Sequence, residues 1–154
     1  MKTKGIAFGG IAASLYIVLS FVSNSFGMAS GPIQLRISES LYALATLGVE
    51  AVPGLFIGCL LFNLFSGCAI WDCLFGSLAT LIGAFGSWKL RNTKYIWALP
   101  PIVSNSVILP IMMNIVYQTE QTVLYLALII FIEEALACGL LGILLRKGLK
   151  KHVR

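Results

Sequence analysis

Residues 121–145 read QTVLYLALIIFIEEALACGLLGILL. At about 1.5 Å of rise per residue, a helix of that length exceeds a hydrocarbon core of about 30 Å, and its only acidic or basic residues are Glu133 and Glu134. The stretch therefore reads as a membrane span that carries two acids near its middle. It ends in a basic cluster, Arg146, Lys147, Lys150, Lys151 and Arg154.

The same pattern recurs across the chain. Lys2 and Lys4 precede an apolar run from about Ile6 to Phe26; a signal peptide would have a shorter core and a small-x-small cleavage site, so a retained first span is the better reading. After Gly27 to Pro32 comes a shorter helix, about Gln34 to Gly48, the weakest of the spans. Pro53 opens a third that runs through Leu55 to Phe65 and stops at Ser66-Gly67. A fourth covers about Asp72 to Leu90. The fifth, Tyr95 to Tyr117, contains Pro100, Pro101 and Pro110, which should kink it or break its first turn.

Composition agrees. Of 154 residues, 58% are hydrophobic and 11% charged, against roughly 25% charged in soluble domains, which excludes a solvated enzyme domain and a disordered tail. The expected architecture is all-α: a compact bundle of six transmembrane helices forming one membrane-embedded domain over residues 1–154. Six spans place every lysine and arginine except Arg36 on one side. By the positive-inside rule that side is cytoplasmic and holds both termini. The net charge of +5 thus marks topology rather than nucleic-acid binding.

Cys59, Cys68, Cys73 and Cys138 lack CxxC spacing and read as small packing residues, although Cys68 and Cys73 bracket the outer end of a hairpin and are near enough in sequence to pair. The single histidine, His152, lies in the basic tail. No metal or cofactor is expected. Nor is there a GxxxxGK[ST], GxSxG or HExxH motif, so neither autonomous ATP-driven pumping nor a familiar hydrolytic site is encoded.

Charged groups inside spans cost about 2.5–3.5 kcal/mol each on insertion scales, so those retained should face protein or a wet cavity. Arg36 and Glu39 are three residues apart and can pair locally at a helix end or face a ligand, with Gln34 and Ser38 adding hydrogen-bonding capacity. Glu133 and Glu134 point about 100° apart, so at most one should aim squarely into a shared cavity. Asp72 is either the cap of the fourth helix or a ligand contact. Asn63 and Asn105 are interhelical glue or cavity groups. Gly5, Gly9 and Ala13, like Gly54 and Gly58, repeat at four-residue spacing and make flat faces for another helix of this chain or of a partner. The six-span arrangement places Gln34, Arg36, Asn63 and Asp72 in the outer half, with Asn105 and Glu134 near the midplane. Such a pocket suits a planar heterocycle with several donors and acceptors, on which Trp71 can stack.

At GPIQLRISESL, residues 31–41, the chain resembles the queuosine-precursor transporter (QueT) family, substrate-binding subunits of energy-coupling-factor (ECF) transporters. The likeness continues through residues 53–59 and 72–81 and reaches Asn105 and Glu134. It implies a six-helix binding protein that captures a 7-deazaguanine outside the cell and joins a transmembrane coupling subunit and two cytoplasmic ATPases. Gly5, Gly9 and Ala13 would match the family's docking face on the first helix. The family pattern has Gly before the sixth-helix carboxylate, whereas this chain has Glu133, so either glutamate remains a candidate for the ligand contact. On the resemblance, Glu134 would accept from the N1–H and exocyclic amine of the heterocycle, and Arg36 or Gln34 would donate to O6. Asp72 or Glu39 would neutralise an aminomethyl cation; a nitrile precursor would need no such acid. A carrier for another vitamin or nucleobase, and a structural membrane subunit whose charges only pair helices, are the competing readings.

Overall fold

Ser38, Glu39 and Ser40, which a lipid-facing helix would exclude, are all buried, and the way they are buried sets the shape of the second helical segment. Ser20 Oγ donates to Ser38 Oγ at 2.8 Å, and the backbone N–H of Ile37 donates to Ser23 Oγ at 3.1 Å. These side-chain bonds to the first helix compete with a regular helical ladder. The result is a 3₁₀ turn, Ile37–Leu41, followed by a single α-helical turn, instead of the longer helix expected over Gln34 to Gly48.

The structure, a computed structural model, describes residues 2–26, 36–118 and 120–153. Gln34 lies outside them. Helix α1 is Lys2–Ser25; the 3₁₀ turn leads into α2, Tyr42–Ala45; α3 is Ala51–Phe65 and α4 Ile70–Lys89. A second 3₁₀ turn, Ile96–Ala98, leads into α5, Leu99–Tyr117. Helix α6, Val123–Glu134, passes through a π-helical stretch, Ala135–Leu141, into α7, Gly142–Val153. All the regular structure among the described residues is helical.

Among the described residues, four helical stretches are long and apolar enough to cross a membrane: Thr3–Ser25, Ile70–Lys89, Ile96–Tyr117 and Val123–Lys151. Helix α3 is shorter, at 15 residues. Large side chains such as Ile6, Phe65, Ile115 and Leu124 point outward at 69–75% exposure, a surface that suits lipid. Pro100 and Pro101 occupy the first turn of α5, where no intrahelical N–H is required, and the helix continues through Pro110.

Small residues bring the helices together. A Cβ on Gly54 would stand 2.3 Å from the Gly9 carbonyl oxygen, and one on Gly58 would stand 2.9 Å from that of Ala13. The two four-residue patterns therefore pack on each other. Likewise, a Cβ on Gly86 would reach 2.3 Å from Pro100 Cβ, and one on Gly83 would reach 2.7 Å from Pro101 Cα, which sets how closely α4 meets α5.

One end of the molecule is basic and tied. Buried Arg146 donates to the carbonyls of Thr93 at 2.8 Å and Lys94 at 3.3 Å, and to that of Arg91, with its guanidinium 5.1 Å from the centre of the buried Trp97 ring. The loop holding Arg91 and Lys94 is thereby fastened to α7. Side-chain atoms of Glu50, in the turn before α3, lie against Gly5 near the start of α1.

Candidate functional site

Helix α1 carries a stripe that is polar where the rest of the helix is apolar. Ala12, Tyr16, Ser20 and Ser23 are buried at spacings of four, four and three, one face of a helix. Tyr16 uses its hydroxyl to donate to Glu39 Oε1 at 2.6 Å. Helix α4 offers a second face, with Asp72, Gly76 and Thr80 at four-residue intervals. Helix α5 adds Asn105, Met112 and Tyr117, and α6 adds Ile130, Glu133 and Glu134. The faces of α4, α5 and α6, with Asn24 of α1, line a cavity of about 390 Å³, within the roughly 300–1,000 Å³ usual for small-molecule sites.

A buried polar contact in it joins two helices. Asn105 Nδ2 donates to Glu134 Oε1 at 2.6 Å, and Glu134 is 7% exposed. Glu134 Oε2 has no hydrogen-bond partner among the described residues. A buried acceptor left unsatisfied costs about 1–3 kcal/mol, so oxygens of this kind favour a guest that brings donors.

The sequence-based candidates divide clearly. Arg36, Glu39, Asp72, Asn105 and Glu134 all line the cavity. Glu133 lines it too, which differs from the expectation that at most one of the adjacent acids would reach it. Two side chains about 100° apart can each stand about 50° to either side of the cavity's axis. Trp71, expected to stack on a ligand, stands outside the lining at 47% exposure and packs on Phe75 with ring centres 6.1 Å apart. Being one residue from Asp72 on a helix turns it about 100° away. The aromatic rings that line the cavity are Phe62 and Tyr117.

Asn63 is buried but absent from the lining; its Nδ2 donates to the Asp72 carbonyl at 3.3 Å and ties α3 to α4. Asp72 is not the cap of α4, because Ala69 holds that position and the helix starts at Ile70. Its carboxylate instead accepts from the Tyr117 hydroxyl. No Arg36–Glu39 ion pair forms among the described residues. Arg36 has extended backbone before the 3₁₀ turn, off the face that carries Glu39, and its guanidinium lies 6.0 Å from the centre of the Phe62 ring.

All four cysteines are free thiols. Cys73 Sγ makes only a long contact of 3.9 Å with the Cys68 carbonyl, and burial pushes the Cys68 thiol up while Arg36 pulls it the other way. Among the described residues, no cluster of three or more His, Cys, Asp or Glu side chains is arranged to hold a metal ion. Sequence reasoning missed Thr80 and Tyr117, which line the cavity, and Tyr16, which stands outside the lining and holds Glu39. Of these, Tyr16 had a readable signal in the buried stripe of α1.

A family model described as QueT transporter matches residues 6–151, nearly the whole chain. The chain belongs to the QueT transporter family. That family is one of transporters rather than enzymes. A curated relative, the "Queuosine precursor transporter QueT" of Lactococcus lactis subsp. cremoris (strain MG1363), is 33% identical to this QueT family member over 81 residues. The match covers 53% of this chain and 47% of the relative, so the chain aligns with about half of that protein's length. No solved structure matches.

Proposed function

We propose that this chain is the substrate-binding subunit of an ECF-type importer and that it captures a 7-deazaguanine precursor of queuosine at the outer face of the cell membrane. The observation that carries the reading is the Asn105–Glu134 pair lining the cavity, with one carboxyl oxygen left unfilled. A carboxylate in that position can accept two parallel bonds from the N1–H and exocyclic amine of a guanine-like edge. Asn105 supports this by holding one oxygen and fixing the plane of the carboxyl group. Arg36 supplies a donor for the O6 carbonyl, a role Gln34 would share. The Phe62 ring and the methionine side chains offer apolar surface to the heterocycle's faces.

Six membrane passages with both termini in the cytoplasm put the basic end, with Lys4, Lys89, Arg91 and Lys94, inside and the cavity mouth outside. The chain has no phosphate-binding loop of its own, so uphill uptake draws on ATPase partners or on an ion gradient. A transmembrane coupling subunit and two cytoplasmic ATPases fill that role in this reading. The docking face is the outer edge of the α1–α3 contact, where Gly5, Gly9 and Ala13 border an open groove with Glu50 and Ile57.

The test is the thermal midpoint of the detergent-solubilised chain with 7-aminomethyl-7-deazaguanine, its 7-cyano analogue, guanine, riboflavin and biotin. A ligand at a hundred times its Kd stabilises the folded state by about 2.7 kcal/mol. Stabilisation by the deazaguanines alone is expected. A shift with riboflavin or biotin instead keeps the importer class and overturns the substrate, while no shift with any of the five favours a structural subunit.

A further inference from the structure

The two polar groups of the cavity lie at opposite ends of it. Thr80 and Asp72 share one face of α4, and the eight-residue step between them is about 12 Å of helical rise. On α5, Asn105 and Tyr117 are separated by about 18 Å of rise. Asp72 and Tyr117 therefore stand together at the mouth, away from the Asn105–Glu134 floor, and Tyr117 is 44% exposed there.

Asp72 differs from the other cavity acids in ways that matter chemically. It sits in the first turn of α4, beside the positive end of the helix dipole. The Tyr117 hydroxyl takes Oδ2, and Oδ1 accepts from no protein group among the described residues. Glu39, the other acid offered for a cationic substituent, is only 3% exposed and already engaged by Tyr16.

We propose that Asp72 and Tyr117 form a mouth-side subsite that reads the substituent on the far side of the heterocycle and that it takes a primary ammonium. The inference rests on the reading above, in which Glu134 holds the N1–H and amine edge. The 7-substituent of such a bicycle leaves from the ring farther from that edge, on the O6 side, so it departs from the floor and reaches toward Asp72. Its N–H donors meet Oδ1, and Tyr117 acts as a positioning residue that keeps the carboxylate turned into the mouth. A charged hydrogen-bonded pair of this kind discriminates against a neutral arm by about 10- to 100-fold.

Calorimetric titration of the full chain tests it, with 7-aminomethyl-, 7-hydroxymethyl- and 7-cyano-7-deazaguanine on wild type, Asp72→Asn, Tyr117→Phe and Glu134→Gln. Wild type should prefer the amine to the hydroxymethyl isostere by 10- to 100-fold. Asp72→Asn should erase that preference while leaving nitrile affinity within about twofold, and Tyr117→Phe should reduce it several-fold without touching the nitrile. Glu134→Gln should weaken all three ligands together. Equal losses of amine and nitrile in Asp72→Asn, or no preference for the amine in wild type, overturn the subsite and leave the deazaguanine reading standing. Failure of wild type to bind any of the three overturns both. The wild-type comparison of amine with hydroxymethyl needs no variant, so a poorly folded Asp72→Asn does not remove the test.

Discussion

Glu134 and Glu133 are neighbours in sequence with unequal surroundings. Glu134 is oriented by a 2.6 Å bond from Asn105, and its second oxygen waits for a donor. Exchanging that acceptor for an amide turns one of two accepting oxygens into a donor facing the ligand's own N–H groups. Glu134→Gln should therefore lower affinity for a 7-deazaguanine by about 100-fold or more, against a much smaller loss for Glu133→Gln, as read by calorimetric titration. Equal or reversed losses would move the ligand contact to Glu133. The sequence supplied five residues of this cavity, because ionisable groups in apolar runs are rarely placed without a reason. It misassigned Trp71, because proximity to Asp72 in sequence does not say which way a helix turns between them, while for Asn63 the structure selects the interhelical tie. Tyr117 escaped notice because a tyrosine at a helix end is unremarkable until its partner, 45 positions earlier, is known.

The elements owe their spacing to missing side chains. A methyl group on Gly54 would enter the Gly9 carbonyl at 2.3 Å, a backbone atom that cannot swing aside, whereas a methyl group on Gly10 meets nothing within 4 Å. Gly54→Ala should thus destabilise the chain by about 1–3 kcal/mol, and Gly10→Ala should be neutral or stabilise it by up to about 1 kcal/mol. Thermal midpoints of the two variants in one detergent check the contrast; similar values would mean that α1 and α3 are not in close contact. The long apolar elements were legible from length and hydropathy. The segment after Pro32 was not, because its form depends on Ser20 and Ser23 of α1, which no local pattern in residues 34–48 reveals. The π-helical stretch after Glu134 likewise has no composition that distinguishes it from the α-helix on either side.

Across the whole molecule, charge and cavity occupy opposite ends, and that polarity can be checked in intact cells. With Cys68 as the single cysteine, a membrane-impermeant maleimide should label the chain from outside, since Cys68 borders the cavity mouth. In a cysteine-free background, Lys147→Cys should react only after the membrane is permeabilised, and the reverse pattern would invert the proposed topology. The clamp at the basic end also has a consequence for how the molecule is made. The carbonyls of Arg91, Thr93 and Lys94 receive their donor from Arg146, which lies 52–55 residues later in the chain. At about 5–20 residues per second, a ribosome needs roughly 3–10 s to deliver it. During that interval the loop between α4 and α5 has no keystone. A nascent chain halted before Arg146 should leave this loop open to a cytoplasmic protease, and one released past it should not, so resistance to cleavage would date the moment at which biosynthesis completes the fold.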